Sequence, residues 1–524
     1  MRAIPIRYAS ALCAAVLLLL ALPSAAAATA TQGEVDAAVA KAVDYVRGQQ
    51  DPQSGEPFGF EHGSFSSDWV GTSLAAAGID PADVRDGENP SLQDFLFEDY
   101  GTEFWSGGAG ETFTTVANYE RATLVSHAAG LDPARLAAAA NFPAQIAERW
   151  NPAGPGFGEA GTTNTAFGIL ALKVAGVPAW ALSPVTSFLR KSQHDDGGWT
   201  YSGATDDVTR AEPSEPDMTG AAIAALCESG APAYDPAVAP ALAYLQGLLV
   251  DATGAIHYPF GDNSDATAWV VSGLTACGID PQSPAWTTPS GKTPIDHLLS
   301  LQVPSGPEAG GFGYQDTSEA NLYSTQDALR AIAGGVFTAQ PQSIRTPPTV
   351  AGGTPVPHLL AIESAPGNVR MCKVTAPVGA SLAVLLAAAE DGSHPQGCVT
   401  SFEISGGHLH SLDGVEPENA DEAWMLRLDR GAAALAGEQP VGFGDVVSLR
   451  LGDLSSGGGN GPQGPAGAAG ADGVTGAAGP TGPAGATGPR GERGPKGRPG
   501  RNAAIGCRAK RQRRGGRRVR CSVR

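Results

Sequence analysis

Between residues 34 and 335 one unit recurs six times, and this recurrence limits the fold more than any other feature of the chain. Each unit has a helical segment, a Gly-rich turn carrying an aromatic, and a second helix of small residues. The turns are Phe58-Gly59, Trp105-Ser106-Gly107, Gly156-Phe157-Gly158, Gly197-Gly198-Trp199, Ile256-His257-Tyr258 and Gly311-Phe312-Gly313. The second helices open at Asp68, Thr115, Asn164, Asp217, Asp265 and Ser324; the first five openings are 47, 49, 53 and 48 residues apart. Val35, Val39, Val43 and Val46 give the first helix one buried face. Ser91, Ser183 and Thr293 read as N-caps of other first helices, with Pro184 and Pro294 just inside. The second helices, such as Met218–Leu226 and Ala266–Cys277, carry almost no charge. A helix apolar nearly all round is buried on most sides. Six amphipathic helices and six buried ones predict two concentric rings, a mainly α chain built on an α6/α6 toroid. An open solenoid is the competing arrangement.

Gln193-His-Asp-Asp-Gly-Gly-Trp199 resembles the Q-x(3)-G-x-W repeat of terpenoid cyclases. The whole pattern is similar to the toroids of squalene-hopene cyclases, protein prenyltransferases and the transcobalamin–intrinsic factor group. The resemblance implies that the second helices line a central cavity, with their N-termini at one mouth. The ligand-binding candidates there are Asp68, Trp69, Asn118, Tyr119, Asn164, Asp217, Asp265, Trp269, Tyr323 and Gln326. Helix capping is the other reading of Asp68, Asp217 and Asp265, and core packing that of the tryptophans. The fold hosts enzymes and binders alike, and no catalytic residue is assigned. The D-x-D-D acid of the squalene-hopene cyclases, the D-D-x-x-D of metal-dependent synthases, the zinc ligands of the prenyltransferases and the thioester motif G-C-G-E-Q are all absent. No metal ligands are expected.

Pro341, Pro347, Pro348, Pro355 and Pro357 mark residues 341–357 as a linker after a toroid spanning 31–340. Residues 358–453 change character: Val447, Leu449 and Leu451 alternate with Ser448 and Arg450, the period of a half-buried strand. Glu422-Ala-Trp-Met-Leu-Arg-Leu428, followed by Gly444-Asp445, resembles the transcobalamin-like C-terminal domain. The order of the two domains is that of the cobalamin carriers. The resemblance implies a ligand between them, cobalamin or another hydrophobic molecule, with Trp424 as the β-side candidate.

The ends of the chain set its compartment and valency. Arg2 and Arg7, the apolar run Ala11–Leu22 and the small residues to Ala28 read as a signal peptide, residues 1–28; a retained anchor is the other reading. No second stretch is long enough to span a bilayer. Apart from Cys13, the cysteines fall in three local pairs, Cys227 and Cys277, Cys372 and Cys398, Cys507 and Cys521, which suggests disulfides in an exported chain. After a Gly/Ser linker at 454–460, glycine holds every third position from Gly461 to Gly500. Only Gly fits at the axis of a collagen triple helix, so 461–500 resembles a collagen-like stalk joining three copies. Residues 501–524 form a basic tail; from Arg490 onward there are 14 Arg or Lys against one acid, Glu492. A polyanion of the cell envelope is its expected partner, ahead of nucleic acid.

These readings predict an exported or surface protein that binds a ligand or adheres through its head. A secreted cyclase-like or prenyltransferase-like enzyme and a purely structural collagen-like protein are the alternatives.

Overall fold

In the computed structural model, the described residues are 29–50, 65–85, 87–98, 100, 115–151, 156–157, 161–203, 205–206, 211–390, 398–437, 439–453, 505–511 and 517–523. Residues 1–28, expected as a signal peptide, and the collagen-like residues 461–500 lie outside them.

Among the described residues before the sheet domain, twelve α-helices come in six pairs. The first members are α1 (Gln32–Gln49), α3 (Leu92–Glu98), α5 (Phe142–Glu148), α7 (Ala179–Lys191), α9 (Val238–Gly247) and α11 (Pro294–Ser300). The second members are α2 (Phe65–Ala76), α4 (Val116–Ala128), α6 (Gly161–Val174), α8 (Pro216–Glu228), α10 (Ser264–Ala276) and α12 (Leu322–Ile332). Each second helix packs on the next, and α12 packs back on α2, so the six close into a ring. The Ser73 hydroxyl seals the closure by donating to the Gln326 carbonyl across 2.6 Å. The open solenoid is thereby excluded. The first helices lie outside, α5 against α4 and α6, α7 against α6 and α8, α11 against α10 and α12.

The closest approach in the ring is between α8 and α10. A Cβ on Gly220 would lie 2.7 Å from the Trp269 carbonyl oxygen, and one on Gly273 2.5 Å from the Gly220 carbonyl oxygen. Cys227 and Cys277 are disulfide-bonded at the C-terminal ends of this pair, with Cα atoms 5.0 Å apart.

The Gly-aromatic turns tie the units together. Gln193 donates to the Gly197 and Ala237 carbonyls, both at 2.7 Å, and the indole of buried Trp199 donates to the Leu189 carbonyl at 2.8 Å. Gln302 repeats the device in the last unit, donating to Gly310 and, across the closure, to Ala38 of α1. The family-like motif is thus a structural clasp. Ser91 and Thr293 cap as expected. Ser183 does not: α7 begins at Ala179, because Ala181 and Leu182 belong to its buried face.

The second domain is a five-stranded sheet in the order β2-β1-β7-β5-β6. Its strands are β1 (Pro355–Ala365), β2 (Asn368–Pro377), β5 (Glu422–Leu428), β6 (Ala434–Leu435) and β7 (Val446–Asp453). Helix α13 (Leu382–Glu390) and the hairpin of β3 (Phe402–Ser405) and β4 (His408–Leu412) complete it. Cys372 and Cys398 are joined, with Cα atoms 6.0 Å apart. One sheet face shares its core with the ring through Leu359, Ala361, Met371 and Val446. The other face carries Trp424 in a separate core with Leu385, Leu412 and Leu449.

Two further strands, β8 (Ile505–Arg511) and β9 (Arg517–Val523), pair antiparallel.

Candidate functional site: the open mouth of the ring

A helix wall presents one residue inward about every 3.6 positions. The N-caps of α8, α10 and α12 are Glu215, Asn263 and Asn321. Two residues after each cap stand Asp217, Asp265 and Tyr323, so the three share one register at the N-terminal mouth. Asp217 and Asp265 are not themselves caps. Four residues further along stand Trp269 on α10 and Asp327 on α12, and the Trp269 indole donates to the Asp327 carboxylate at 2.9 Å.

The mouth is acidic. Glu215, Asp217, Asp265 and Asp327 act on one another there, and Arg330 pairs with Asp327. Burial, followed by the nearby Glu215 charge, pushes the Asp217 carboxyl up to about 6. Burial and the charge of Asp327 push Asp265 to about 7, against a hydrogen bond from the Ser264 hydroxyl at 2.9 Å. The turns before α10 and α12 add aromatics. Tyr258 and Phe260 meet as tilted rings with centroids 5.7 Å apart. Phe260 is 81% exposed and Tyr314 42%, an unusual outlay of apolar ring in water. Burial and then Asp217 raise the Tyr258 hydroxyl to about 12, and burial followed by Asp265 and Asp217 raises that of Tyr314, which places both phenols in the field of the acids.

The axis below the mouth is filled. Trp69 of α2, Phe167 of α6 and Trp269 of α10 meet there, with Phe167 5.2 Å from Trp69 and 5.4 Å from Trp269. Phe337 enters from beyond the C-terminal end of α12 and lies 5.1 to 5.8 Å from all three. The Arg330 guanidinium sits 4.3 Å over the Phe337 ring and donates to Asp327 at 2.7 Å. The segment carrying Phe337 lies across the C-terminal end of the ring: the Thr338 hydroxyl donates to Glu228 at the end of α8, and Ala339 packs between Ala75 and Ala128. The linker then runs to the second unit, where Arg345 pairs with Asp94 at 2.7 Å.

The ring–sheet junction is packed and salted. Arg135 donates to Asp132, Asp429 and Asp445 at 2.5 to 2.7 Å. Lys373 pairs with Glu148, and Asn141 donates to the Pro357 carbonyl.

The structure therefore brings Asp217, Asp265 and Trp269 to one end of the ring through Asp327, and Tyr323 stands in the same register position on α12. Trp69 lies deeper, on the axis. Asn164 and Gln326 are buried in the ring wall. Asn118 accepts from the Thr115 hydroxyl and Arg121. Tyr119 packs against Phe142 of the outer helix α5. Trp424 belongs to the sheet core and does not face the junction. Asp68 lies within α2, three residues past its start, so it is not an N-cap; its side chain is outside the described residues. Sequence reasoning missed Phe167, Phe337, Arg330, Tyr314 and Phe260. Phe167 was findable from the register shared with Trp269.

The collagen triple helix repeat model matches residues 452–511. The Gly-x-y segment is collagen-like, and the chain joins it to a helical ring and a small sheet domain. The search of curated proteins finds no match. Among solved structures, the chain is similar to haptocorrin in complex with Cbi, at 11% identity over 80% of this chain and 97% of that one, TM-score 0.33. It is similar to the type II terpene cyclase MstE from Scytonema, at 15% identity over 58% of this chain and 98% of that one, TM-score 0.39. It is also similar to ent-copalyl diphosphate synthase from Streptomyces platensis, at 18% identity over 51% and 48% of the chains, TM-score 0.34. No helix among the described residues is long and apolar enough to cross a membrane.

Proposed function

We propose that this chain is an exported, collagen-linked binding protein whose ligand docks on the N-terminal mouth of the ring. One observation carries the reading: two carboxyls in register, Asp217 and Asp265, act on the hydroxyls of Tyr258 and Tyr314, in turns that also expose Phe260. Aromatic faces with carboxyls between them suit a ligand that stacks and donates hydrogen bonds, such as a sugar ring or an organic cation. The filled axis makes it a shallow site, and the collagen-like stalk would gather three heads and raise avidity. Cobalamin between ring and sheet, which the family resemblance implies, would have to displace the packed junction at Leu359, Met371 and Val446. Acid catalysis is the second reading, favoured by Asp265 alone: a carboxyl near 7 holds a transferable proton at neutral pH.

Full-length protein titrated with a glycan panel, choline, cobalamin and a polyprenyl diphosphate, read by tryptophan fluorescence, tests the proposal. A saturable signal is expected from a sugar or cation, weakened tenfold or more by Phe260→Ala or Asp265→Asn and unaffected by Met371→Ala. A signal lost only in Met371→Ala would move the site to the junction. Turnover of the polyprenyl compound that is lost in Asp265→Asn would establish the enzyme instead.

A further inference from the structure

Units four to six hold their Gly-aromatic turns by the same bond. The threonine four residues past each inner-helix cap accepts a backbone N–H of the turn: Thr219 from Trp199 at 3.0 Å, Thr267 from Ile256 at 3.3 Å and Thr325 from Phe312 at 2.8 Å. The three turns therefore share one register, and two residues past each bonded N–H stands a tyrosine: Tyr201, Tyr258 and Tyr314. Their backbone is anchored as well. The Tyr314 carbonyl accepts from the N–H of Ser264, the first residue of α10, at 2.8 Å, and the Tyr201 carbonyl accepts from Thr162 near the start of α6 at 3.3 Å. Pro216, the first residue of α8, has no N–H to offer, and Tyr258 is held from its own turn, donating to Asp262 at 3.4 Å. Tyr201 is 56% exposed.

The tyrosines make one row, and the residues two past each cap, Asp217, Asp265 and Tyr323, make another. Both rows advance one unit at a time along α8, α10 and α12, which pack in succession; packed helices stand about 8–10 Å apart. The rows run close together, since the Asp217 charge reaches the hydroxyls of both Tyr258 and Tyr314. The charges that act most strongly on Asp217 and Asp265 are themselves carboxylates, Glu215 and Asp327, while Arg330 is fully buried and bonded to Asp327. An incoming cation would thus meet unbalanced negative charge. A surface that repeats rings and carboxyls at one interval matches a ligand that repeats rings and cations at one interval. We propose that Tyr201, Tyr258 and Tyr314, with Asp217 and Asp265, form an extended subsite for a linear chain of amino sugars bearing free amines, laid across units four to six. Each pyranose sets its apolar face on a tyrosine ring, and its ammonium donates to a carboxylate of the second row. A basic peptide would bring the cations without the flat ring faces that the tyrosine row receives. The inference rests on the mouth being the binding site and extends that site from a single ring to a chain.

The test uses the full-length protein and titration calorimetry, with glucosamine hexamer, glucosamine monomer, N-acetylglucosamine hexamer and charge-matched hexalysine as probes. The glucosamine hexamer should bind at least tenfold tighter than the monomer, because linked rings engage the row at high effective concentration. It should also bind at least tenfold tighter than the acetylated hexamer or hexalysine. Tyr201→Ala should weaken the hexamer fivefold or more and leave the monomer unchanged, whereas Tyr201→Phe, which keeps the ring, should bind the hexamer as the wild type does. Because Tyr201 is exposed, the melting temperature should hold in both variants. Equal affinity for hexamer and monomer, equally tight binding of the acetylated hexamer or of hexalysine, or indifference to Tyr201→Ala would each overturn the proposal. In any of those cases, monomer binding that is lost in Asp265→Asn would leave the mouth standing as the site while the extended subsite falls. No binding of any probe, with silence from the other sugars and choline, would remove both.

Discussion

The two ends of the ring are built from the same six helices and have opposite chemistry. At the N-terminal end, carboxyls and exposed aromatics meet water. At the C-terminal end, Phe337 closes the axis, Ala339 packs between two helix ends, and the Cys227–Cys277 disulfide staples two more. The closed end spends apolar surface on stability. The open end keeps acids and rings in arrangements that cost stability, which is the pattern expected where a site is maintained for a ligand. Variants at each end should therefore move stability in opposite directions.

The largest effect should come from the plug. Phe337→Ala removes a fully buried ring from a cluster of three others, and such losses cost about 3–5 kcal/mol. Thermal unfolding should show a substantial drop, accompanied by new binding of an apolar dye. An unchanged melting temperature would mean that the axis is not held by Phe337, and the contrast between the ends would fail.

The plug also marks where the sequence stops being legible. Six units, their turns and the buried character of the second helices are all periodic, and period is what a sequence displays. Phe337 lies in Gly334-Gly335-Val336-Phe337, past the last unit, where no period governs and the segment reads as the approach to a linker. Within the mouth, the difficulty was one of register. Asp217, Asp265 and Trp269 fall on the inward face because they stand two or six residues past a cap. Tyr119 and Gln326 sit four and five past theirs, and the helix turns them toward α5 and into the wall. Trp424 alternates with its neighbours in β5, and its parity, fixed only by pairing with Leu451 in β7, puts it in the sheet's own core.

Second in size is the staple. Replacing Cys227 and Cys277 by Ser frees a loop of 50 residues and should cost about 2–4 kcal/mol, read by denaturant unfolding. Because Thr338, beside Phe337, bonds Glu228, beside Cys227, the loss should add to that of Phe337→Ala only in part. A negligible loss would show that α8 and α10 hold together through the Gly220–Gly273 approach alone.

The open end should respond to pH. Asp265 rises from 3.8 to about 7 on folding, and Asp217 from 3.8 to about 6. A carboxyl raised on folding contributes stability that is complete below 3.8 and is lost as pH climbs through its folded value. The contribution of these two acids should thus fall between about pH 4 and pH 7 and level off above it. Asp265→Asn, which mimics the neutral acid, should flatten that slope and raise stability at pH 8 by about 2 kcal/mol. Melting temperatures of both proteins across this range would decide it; parallel curves would remove Asp265 as the source.

The smallest effect belongs to the closed end and has the opposite sign. His127, in the last turn of α4, is held at about 4, below its ordinary 6.5, chiefly by burial and then by the Arg430 charge. A base depressed on folding contributes stability that is complete above 6.5 and is lost as pH falls toward 4. At pH 5 the unfolded chain takes up the proton more readily than the folded one, so stability should drop on the acid side. His127→Gln keeps a neutral polar group and should recover about 1 kcal/mol at pH 5, with no gain at pH 8. Since Arg430 also donates to the Val174 carbonyl, the drop should include loosening of the sheet domain from the ring. Amide exchange at α6 and β5, faster at pH 5 in the wild type than in His127→Gln after correction for intrinsic rates, would show it. Equal protection in the two proteins would confine the effect to α4 and leave the acids of the open mouth as the main source of pH dependence.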